Sequence, residues 1–411
     1  MAVNLKAPEV LPPVKGVRLG VAEAAIKKPG RTDLLLMEFA PGSRAAGVFT
    51  KNAFAAAPVL LCRERLKGSA PRGSGNVRAL LINSGNANAA TGKGGLADAR
   101  RTTLAVAKAL GCAAAEVLPF STGVIGQRLP VERMCAAAAV AAASLREDAW
   151  LHAAQAIMTT DTVAKGASRR VRTSQGEVTV TGIAKGVGML CPDMATMLGF
   201  IATDARLSAA AVKRILGDAV AVSFNCASVD GDTSTNDACM LVATAQAGKK
   251  DLAPGSQDYR TVAKAVTEVC IELAQSIVRD GEGATRFVTL EVGGARTVAE
   301  ARKVGYSIAH SPLVKTALFA GDANWGRLAM AIGKAGVPGL AQDKVGLSLD
   351  GIPLLRRGQP HPGYREELGA AVLAKPEYTI SVDLGRGKAK ARLWTCDLSY
   401  EYVKINAEYR T

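Results

Sequence analysis

Residues 185–204 read Lys185-Gly-Val-Gly-Met-Leu-Cys-Pro-Asp-Met-Ala-Thr196-Met-Leu-Gly-Phe-Ile-Ala-Thr-Asp204. A loop interrupted by Gly and Pro runs directly into an apolar segment, which predicts a buried strand from Met197 to Thr203. Thr196 stands at the junction, where two interpretations are open. It is a β-branched residue that opens the strand, or it becomes a new N-terminus when the Ala195–Thr196 bond breaks. A terminal Thr carries its own base, an α-amine with a pKa of about 7.7–8.0.

Composition limits the architecture and the chemistry. With 411 residues, 48% of them hydrophobic, the chain predicts two domains, or one large domain with a smaller lobe. The eight Cys are dispersed without a C-x-x-C pair, and only three His are present. These counts give little support to a metal centre or a His-based catalytic triad. We therefore expect no metal, and a catalytic base other than His.

The formal net charge of +15 allows several kinds of partner. Such a balance suits nucleic acid or a membrane surface, and equally an enzyme that attracts small anions. The basic residues are scattered and aromatic residues make up only 4%, so stacking on bases is disfavoured and no nucleic-acid partner is expected. The most apolar stretch, residues 135–144, is too short to span a bilayer. The sequence therefore predicts a cytoplasmic protein with no membrane partner.

Strand-like and helix-like segments alternate along the chain. This alternation predicts a layered α/β architecture. The main expected strands are 78–83, 177–183, 239–246, 286–292, 377–384 and 388–395, and the main expected helices are 94–110, 208–222, 259–279 and 297–309.

One candidate catalytic motif is Ser121-Thr-Gly123, at the end of an expected strand. A hydroxyl beside a backbone N–H that a glycine exposes can stabilise an oxyanion. The same residues also make an ordinary capped turn. Both interpretations remain open from the motif alone.

Three further polar features are candidates for ligand binding. Thr159-Thr-Asp-Thr162 offers hydroxyls but could equally be helix-end chemistry. Lys185 could hold a carboxylate or be simply solvated. Glu282, between two glycines, could pair with an ammonium group or occupy an exposed turn. The acidic run 230–237 has a calcium-loop appearance but lacks the Glu at the twelfth position, so it is rejected as an EF-hand.

Taken in order, a set of motifs resembles one enzyme family, the ornithine acetyltransferases, also called glutamate N-acetyltransferases. The resemblance runs from about residue 47 to residue 411. The motifs are Asn83-Ser-Gly-Asn-Ala-Asn88, Ser121-Thr-Gly123, Met158-Thr-Thr-Asp-Thr162, Ala184-Lys-Gly186, Met194-Ala-Thr-Met-Leu198, Asp230 to Asp237, Lys315-Thr-Ala-Leu-Phe319 and Asp322-Ala-Asn-Trp-Gly-Arg327.

The resemblance implies an acyltransferase of arginine biosynthesis that moves acetyl from N2-acetylornithine to glutamate, with acetyl-CoA as a further candidate donor and no cofactor. It implies self-cleavage into residues 1–195 and 196–411, which assemble as an α2β2 heterotetramer. The implied fold is a layered α-β-β-α arrangement with a smaller C-terminal α/β lobe. We expect a nucleophile-bearing domain over 1–284, joined by the tail 400–411, and the lobe over 285–399.

Roles for individual residues also follow from the resemblance. Thr196 is the expected nucleophile, and Thr122 and Gly123 are the expected oxyanion stabilisers. The residues implied in substrate binding are Thr159, Lys185, Thr196, Glu282, Asn406 and Thr411. The last two imply that the C-terminal tail folds back over the active site.

Three alternatives remain open. One is an amide hydrolase that uses the same nucleophile with water as acceptor. Another is a related acetyltransferase of secondary metabolism. The third is a non-enzymatic, basic nucleic-acid-binding protein.

Overall fold

The structure, a computed structural model, describes residues 2–68, 76–190 and 197–408. The expected cleavage position Ala195–Thr196 and the expected substrate-binding residue Thr411 lie outside the described residues. The surroundings of the site are therefore defined by the described residues on either side of these positions.

The strands pair into sheets that bring distant segments together. They are β1 (Val17–Ala22), β2 (Leu34–Phe39), β3 (Arg44–Phe49), β4 (Ala79–Asn86), β5 (Val117–Val124), β6 (Lys165–Thr173), β7 (Gly176–Lys185), β8 (Leu198–Ala205), β9 (Ala238–Ala247), β10 (Phe287–Ala295), β11 (Gly346–Leu349), β12 (Ile352–Arg356), β13 (Gln359–Pro360), β14 (Glu377–Asp383) and β15 (Ala389–Cys396).

The helices cover the faces of these sheets. They are α1 (Ala57–Gly68), α2 (Gly92–Leu110), α3 (Val131–Ala143), α4 (Trp150–Ala156), α5 (Ala209–Ala221), α6 (Gln257–Arg279), α7 (Val298–Ala309), α8 (Pro312–Ala320), α9 (Trp325–Gly333), α10 (Glu366–Leu373) and α11 (Tyr400–Glu408). Several begin at a side-chain cap, because a Ser or Thr oxygen can accept an orphan N–H of the first turn. Ser208, Ser256 and Thr297 act in this way for α5, α6 and α7.

Two sheets form the centre of the larger part of the molecule. The first sheet has the strand order β1-β2-β4-β5, in which β4 and β5 run parallel. The second sheet has the order β3-β9-β8-β7-β6, in which β8 and β9 run parallel. The strand predicted after Thr196 is confirmed as β8, which is buried along its whole length.

The two sheets pack face to face through their inner side chains. Leu35 and Met37 of β2 belong to the same core cluster as Phe200 and Met240 of the second sheet. Across this core, the rings of Phe120 and Phe200 meet edge to face, with 5.0 Å between their centroids. Because successive strand residues point to opposite faces, Leu36 packs outward between Leu35 and Met37. Both faces of β2 are therefore buried, and five of its six residues are apolar.

Helices cover the two outer faces. Leu34 and Leu36 pack outward with residues of α2 and α3, such as Val106 and Met134. On the other side, residues of the second sheet such as Ile201 pack with α5 and α6. The layers therefore run α2/α3, first sheet, second sheet, α5/α6. The expected α-β-β-α fold is confirmed.

A third sheet consists of β10 and the strands between residues 346 and 396, in the order β13-β12-β11-β14-β10-β15. Its core joins Val288 and Leu290 of β10 to Val304 and Ile308 of α7. Trp394 of β15 packs instead into the cluster formed by the second sheet and α6. The chain thus has the expected additional C-terminal α/β unit. The domain boundaries at 284/285 and 399/400 stay predictions.

The packing of the two central sheets gives a stability prediction. Phe200→Ala should lower the free energy of unfolding by about 3–5 kcal/mol, because it removes a buried ring from a core that cannot fully collapse. The shift in the urea midpoint measures this loss. Phe54→Ala is the control, since that ring is 74% exposed and its loss should change stability by less than about 0.5 kcal/mol. Equal losses for the two variants would contradict the assigned core.

Candidate active site

The structure brings the described candidate residues into one pocket. They come from five separate segments: the end of β5, the loop after α4, the end of β7, the turn after α6, and α11. The pocket is lined by all of the candidates that the structure describes, namely Thr122, Gly123, Thr159, Lys185, Glu282 and Asn406. Their individual roles stay predictions, whereas their proximity is a property of the fold.

The end of β5 is shaped by a close approach to β4. Gly123 has φ of +132°, and a Cβ built on it would lie 2.3 Å from the carbonyl carbon of Gly85. Only glycine fits such a position, because any side chain would collide with the neighbouring backbone. The pairing register between β4 and β5 also shifts at Gly85 and Asn86. This irregularity ends the regular ladder next to the pocket.

Thr122 is oriented by Lys185. The Lys185 Nζ donates a hydrogen bond to the Thr122 Oγ1 at 3.3 Å, and both side chains are buried. A threonine hydroxyl carries one proton and two acceptor lone pairs. Since Lys185 occupies an acceptor position, the hydroxyl proton remains available to donate to another group. Thr122 therefore has the hydrogen-bonding capacity that an oxyanion stabiliser requires.

Lys185 is a cation in a largely enclosed setting. Burial lowers its pKa, while the nearby Asp161 carboxylate opposes this effect. The charge of Lys165 adds to the effect of burial, and smaller contributions from Glu282 and Asp237 oppose it. The ammonium group is therefore more acidic than a solvated lysine, although the neighbouring acidic side chains favour its protonated form.

Asp161 connects the loop after α4 to the other segments. Its carboxylate accepts hydrogen bonds from Lys165 Nζ at 2.7 Å, from the Gly186 N–H at 2.9 Å and from the Thr159 N–H at 2.9 Å. Burial alone would raise its pKa, but the charges of Lys165 and Lys185 and the Gly186 hydrogen bond together hold the pKa well below its usual range. Thr159 is thus held at the pocket by a carboxylate that stays ionised.

Asp280 completes this buried network from the end of α6. Lys165 Nζ lies 2.6 Å from its carboxylate, and the side chains of Lys165 and Asp280 are 0% and 1% exposed. The same carboxylate accepts the Thr162 N–H at 2.9 Å and the Thr162 hydroxyl. Two carboxylates therefore share one fully buried ammonium group, and this arrangement fixes the chain two residues before Glu282.

Glu282 is half-buried and faces the pocket with defined partners. Its carboxylate accepts hydrogen bonds from the Thr160 hydroxyl at 2.9 Å and from the Asn406 amide at 3.0 Å. A Cβ on Gly188 would lie 2.4 Å from Glu282 Oε2, so the glycine makes room for this carboxylate. The geometry leaves Glu282 as an anionic group at the pocket wall.

The C-terminal tail lies against the pocket, in agreement with the expected fold-back. Gly283 has a positive φ, and a Cβ there would lie 2.4 Å from the Tyr402 N atom. The Ser399 hydroxyl donates to the Gly283 carbonyl oxygen at 2.6 Å. These contacts, together with the Asn406–Glu282 hydrogen bond, attach α11 to the turn after α6.

Two acidic residues of the loop 227–237 hold the chain on both sides of residues 191–196. Asp230 accepts the Met189 and Leu190 N–H groups at 2.5 and 2.7 Å. Asp237 accepts the Met197 N–H at 3.0 Å. We call these contacts the acidic clamp. Sequence reasoning missed these contacts, because it rejected the run as a calcium loop and otherwise counted it only among the motifs of the family resemblance. The available signal was an acid directly before a strand, Asp237 before β9.

Asp237 has a further property. It is 1% exposed, and its Oδ2 atom has no hydrogen-bond partner among the residues that the structure describes. Burial raises the pKa of this carboxyl well above its usual range, although the Met197 N–H and the Lys185 charge act in the opposite direction. Burial thus disfavours the charged form of a carboxyl group that contacts the residue after Thr196.

In the described ranges, no group of three or more His, Cys, Asp or Glu side chains is arranged to hold a metal ion. Among the same residues, every helix is too short or too polar to cross a bilayer.

A family model and two relatives match this chain over nearly its full length. A family model described as the ArgJ family matches residues 18–411. The arginine biosynthesis bifunctional protein ArgJ of Pseudomonas syringae pv. tomato is 52% identical, with 100% of both chains covered. The protein of the same name from Methylococcus capsulatus is 53% identical over 97% of this chain and 96% of its own. A crystal structure of the Bacillus halodurans ArgJ protein has a TM-score of 0.49 and 39% identity, and covers 51% of this chain and 98% of that chain.

The buried network gives a second stability prediction. Lys165→Met should lower the free energy of unfolding by about 3–5 kcal/mol at pH 7, because it leaves two buried carboxylates without their cation. Chemical denaturation measures the loss. The deficit should shrink as the pH falls towards 4, since the unpaired carboxylates of the variant take up protons at higher pH than Asp161 does in the parent.

The matched control is Lys375→Met. Lys375 forms an ion pair with Asp350 at 2.9 Å, but its side chain is 54% exposed, so its loss should cost no more than about 1 kcal/mol. A Lys165→Met protein as stable as this control would disprove the structural role assigned to Lys165.

Proposed function

The chain belongs to the ArgJ family, and on that premise we propose that it transfers an acetyl group from N2-acetylornithine to glutamate through an ester on Thr196. It is an acyltransferase. The observation that carries the proposal is the convergence of Thr122, Gly123, Lys185 and Glu282 on one pocket. Met197, which Thr196 precedes in the sequence, is held by the acidic clamp.

We infer that self-cleavage comes first. The Thr196 hydroxyl attacks the carbonyl carbon of Ala195, the C–N bond breaks as the nitrogen takes up a proton, and an ester links Ala195 to the Thr196 oxygen. Water then hydrolyses this ester, which releases a carboxylate on Ala195 and a free hydroxyl and amine on Thr196. The acidic clamp supports this step, because it fixes the described residues on both sides of the scissile segment and thereby lowers the entropic cost of attack.

The released amine then serves as the base for acyl transfer. It accepts the proton of the Thr196 hydroxyl as the oxygen attacks the acetyl carbonyl. Negative charge develops on the carbonyl oxygen, where the Thr122 hydroxyl and the Gly123 N–H stabilise it. The tetrahedral intermediate collapses with transfer of the proton to the departing α-nitrogen, and ornithine leaves. The amine of glutamate attacks the ester and restores the hydroxyl. This order requires ping-pong kinetics.

Charge complementarity assigns the substrate groups. Lys185 is the cation for the α-carboxylate that both amino acids carry, and Glu282 is the anion for the δ-ammonium of ornithine. The pocket walls around these two charges include Thr159 and Asn406. The Thr159 N–H is hydrogen-bonded to Asp161, and the Asn406 amide is hydrogen-bonded to Glu282. Thr411 remains a predicted substrate-binding residue outside the described part of the chain.

We also propose a second acetyl donor, a cellular location and an assembly for this protein. The relatives are named bifunctional arginine biosynthesis proteins, which supports acetyl-CoA as a second acetyl donor here. We also propose the cytoplasm as location and an α2β2 assembly of the two fragments, which the mass of the purified protein in solution would test.

The nucleophile gives the most direct prediction. Thr196→Ala should yield an uncut chain of 42.5 kDa without transferase activity, because the variant has no side-chain hydroxyl at position 196 to attack the Ala195 carbonyl or the acetyl group. Denaturing mass spectrometry of the parent should instead find two fragments, residues 1–195 and 196–411. Thr196→Ser keeps a hydroxyl and is the control, which should still cleave, if more slowly. An active parent that consists only of uncut chain would refute the mechanism.

Glu282 gives a prediction on specificity. Glu282→Gln should raise the KM for N2-acetylornithine roughly tenfold, a change of about 1.4 kcal/mol, because the amide keeps the shape but loses the charge that pairs with the δ-ammonium. The KM for glutamate should change less or fall. Glu408→Gln, at an exposed position of α11, is the matched control. Equal effects of Glu282→Gln on both substrates would reject the pairing.

A further inference from the structure

In the proposed reaction the side chains of the two amino acids carry opposite charges, and the carboxylate at the wall of the catalytic pocket suits only one of them. Ornithine ends in an ammonium group, and glutamate ends in a carboxylate. The Glu282 carboxylate at the pocket wall attracts the first and repels the second, since like charges at a few ångströms destabilise each other. If the two amino acids share the position of their α-groups, the glutamate side chain needs a different, cationic surface.

Such a surface lies next to the catalytic pocket. A second cleft shares three wall residues with it, Gly123, Thr159 and Thr160. We call it the basic cleft. Its charged lining residues are three cations and one acid, all from the loop between β1 and β2: Lys27, Lys28, Arg31 and Asp33.

The single acid, Asp33, uses its carboxylate to hold the backbone of the loop. Both oxygens of Asp33 accept backbone hydrogen bonds within the loop, from the Ala24 N–H at 2.6 Å and the Ile26 N–H at 2.6 Å. The residue is only 4% exposed. Asp33 therefore holds the loop from its buried side, while the side chains of Lys27 and Lys28 are exposed.

The loop is also fixed against the active-site walls. The Arg31 guanidinium donates to the carbonyl oxygen of Met158, the residue before Thr159. The backbone of Gly85 has φ of +105°, and a Cβ there would lie 3.2 Å from the Cβ of Lys27. The basic residues are thus held beside the pocket by tertiary contacts, unlike a run of charges on a free tail.

We propose that the basic cleft is the subsite for the side-chain carboxylate of glutamate, with Lys27 and Lys28 as its specificity-determining residues, and this proposal rests on the proposed function. Ornithine extends its side chain towards Glu282, and glutamate extends its side chain past Gly123 and Thr160 into the basic cleft. The phosphates of acetyl-CoA share the anionic character of this ligand. They are separated from the acetyl group by the long pantetheine arm, whereas the cleft and the pocket share a wall, which favours the carboxylate.

The test uses two assays of the purified enzyme. The first is acetyl transfer from N2-acetylornithine to glutamate. The second is exchange between N2-acetylornithine and labelled ornithine, which needs no glutamate. The variant K27Q/K28Q should raise the KM for glutamate roughly tenfold or more, which corresponds to loss of one charge-assisted contact. The exchange rate should stay within about twofold of the parent, because the ornithine half-reaction does not use the cleft.

Two control variants separate this role from a general effect of charge. K249Q/K250Q removes the same charge from an exposed lysine pair on the loop after β9, and it should leave both assays unchanged. K27R/K28R keeps the charge and should retain most of the affinity for glutamate. High salt should also raise the KM for glutamate in the parent more than in K27Q/K28Q, since screening weakens an interaction that the variant lacks.

Each outcome decides the proposal. An unchanged KM for glutamate in K27Q/K28Q would overturn it, as would an equal fall in both assays. A rise in the KM for acetyl-CoA with no change for glutamate would assign the cleft to phosphate and overturn the carboxylate assignment. Failure of the proposed function itself looks different, because the parent enzyme would then lack both transfer and exchange.

Discussion

The position of Lys165 between Asp161 and Asp280 is the constraint on which the site depends. An ammonium group with no solvent exposure carries a large desolvation cost, which only well-placed counter-charges and hydrogen bonds can offset. Asp161 and Asp280 provide these, and each also binds backbone groups of the 159–163 segment. The network therefore locks the start of β6, the end of β7 and the end of α6 into one arrangement. Lys185 and Glu282 lie within two residues of these points, so the buried charges set the positions of two charged side chains that line the pocket.

The acidic clamp performs a related task with backbone contacts instead of an ion pair. Asp230 and Asp237 stand on one short loop, yet they hold residues on opposite sides of the 191–196 segment. The loop itself is tied into the sheet, because Ala238 begins β9 next to β8. A self-cleaving chain needs this kind of support, since the two new ends must remain in place after the bond between them is gone. Strand pairing on one side and carboxylate contacts on the other meet that need without any covalent link.

The sequence predicted the fold class, and the candidate residues that the structure describes line one pocket. It failed where contacts between distant residues decide the structure. Segments with a clear period, such as α6 and β8, were recognised because their own residues carry the signal. The sequence did not predict β6, because three arginines interrupt the alternation of apolar and polar residues in this strand. The strand expected over 78–83 extends as β4 through Ser84 and Gly85, because pairing with β5 overrides their turn preference. The Lys165–Asp280 pair spans 115 residues, and no local pattern reports such a contact. The resemblance to a family, not the local chemistry, selected Thr122 and Glu282.

The uneven distribution of charge in this protein suits a reaction whose substrates differ in charge. The chain as a whole carries a formal charge of +15, while the pocket wall holds the Glu282 carboxylate and the neighbouring cleft holds lysines. A positive long-range field attracts anions and repels cations before contact is made. In the proposed reaction, once the acetyl group has reached the enzyme, the product to be released is ornithine, with net positive charge, and the acceptor to be bound is glutamate, with net negative charge. The global field therefore promotes both halves of this exchange, and local carboxylates are needed only to hold the donor long enough to react. A uniformly basic site would lose the donor, and a uniformly acidic one would exclude the acceptor.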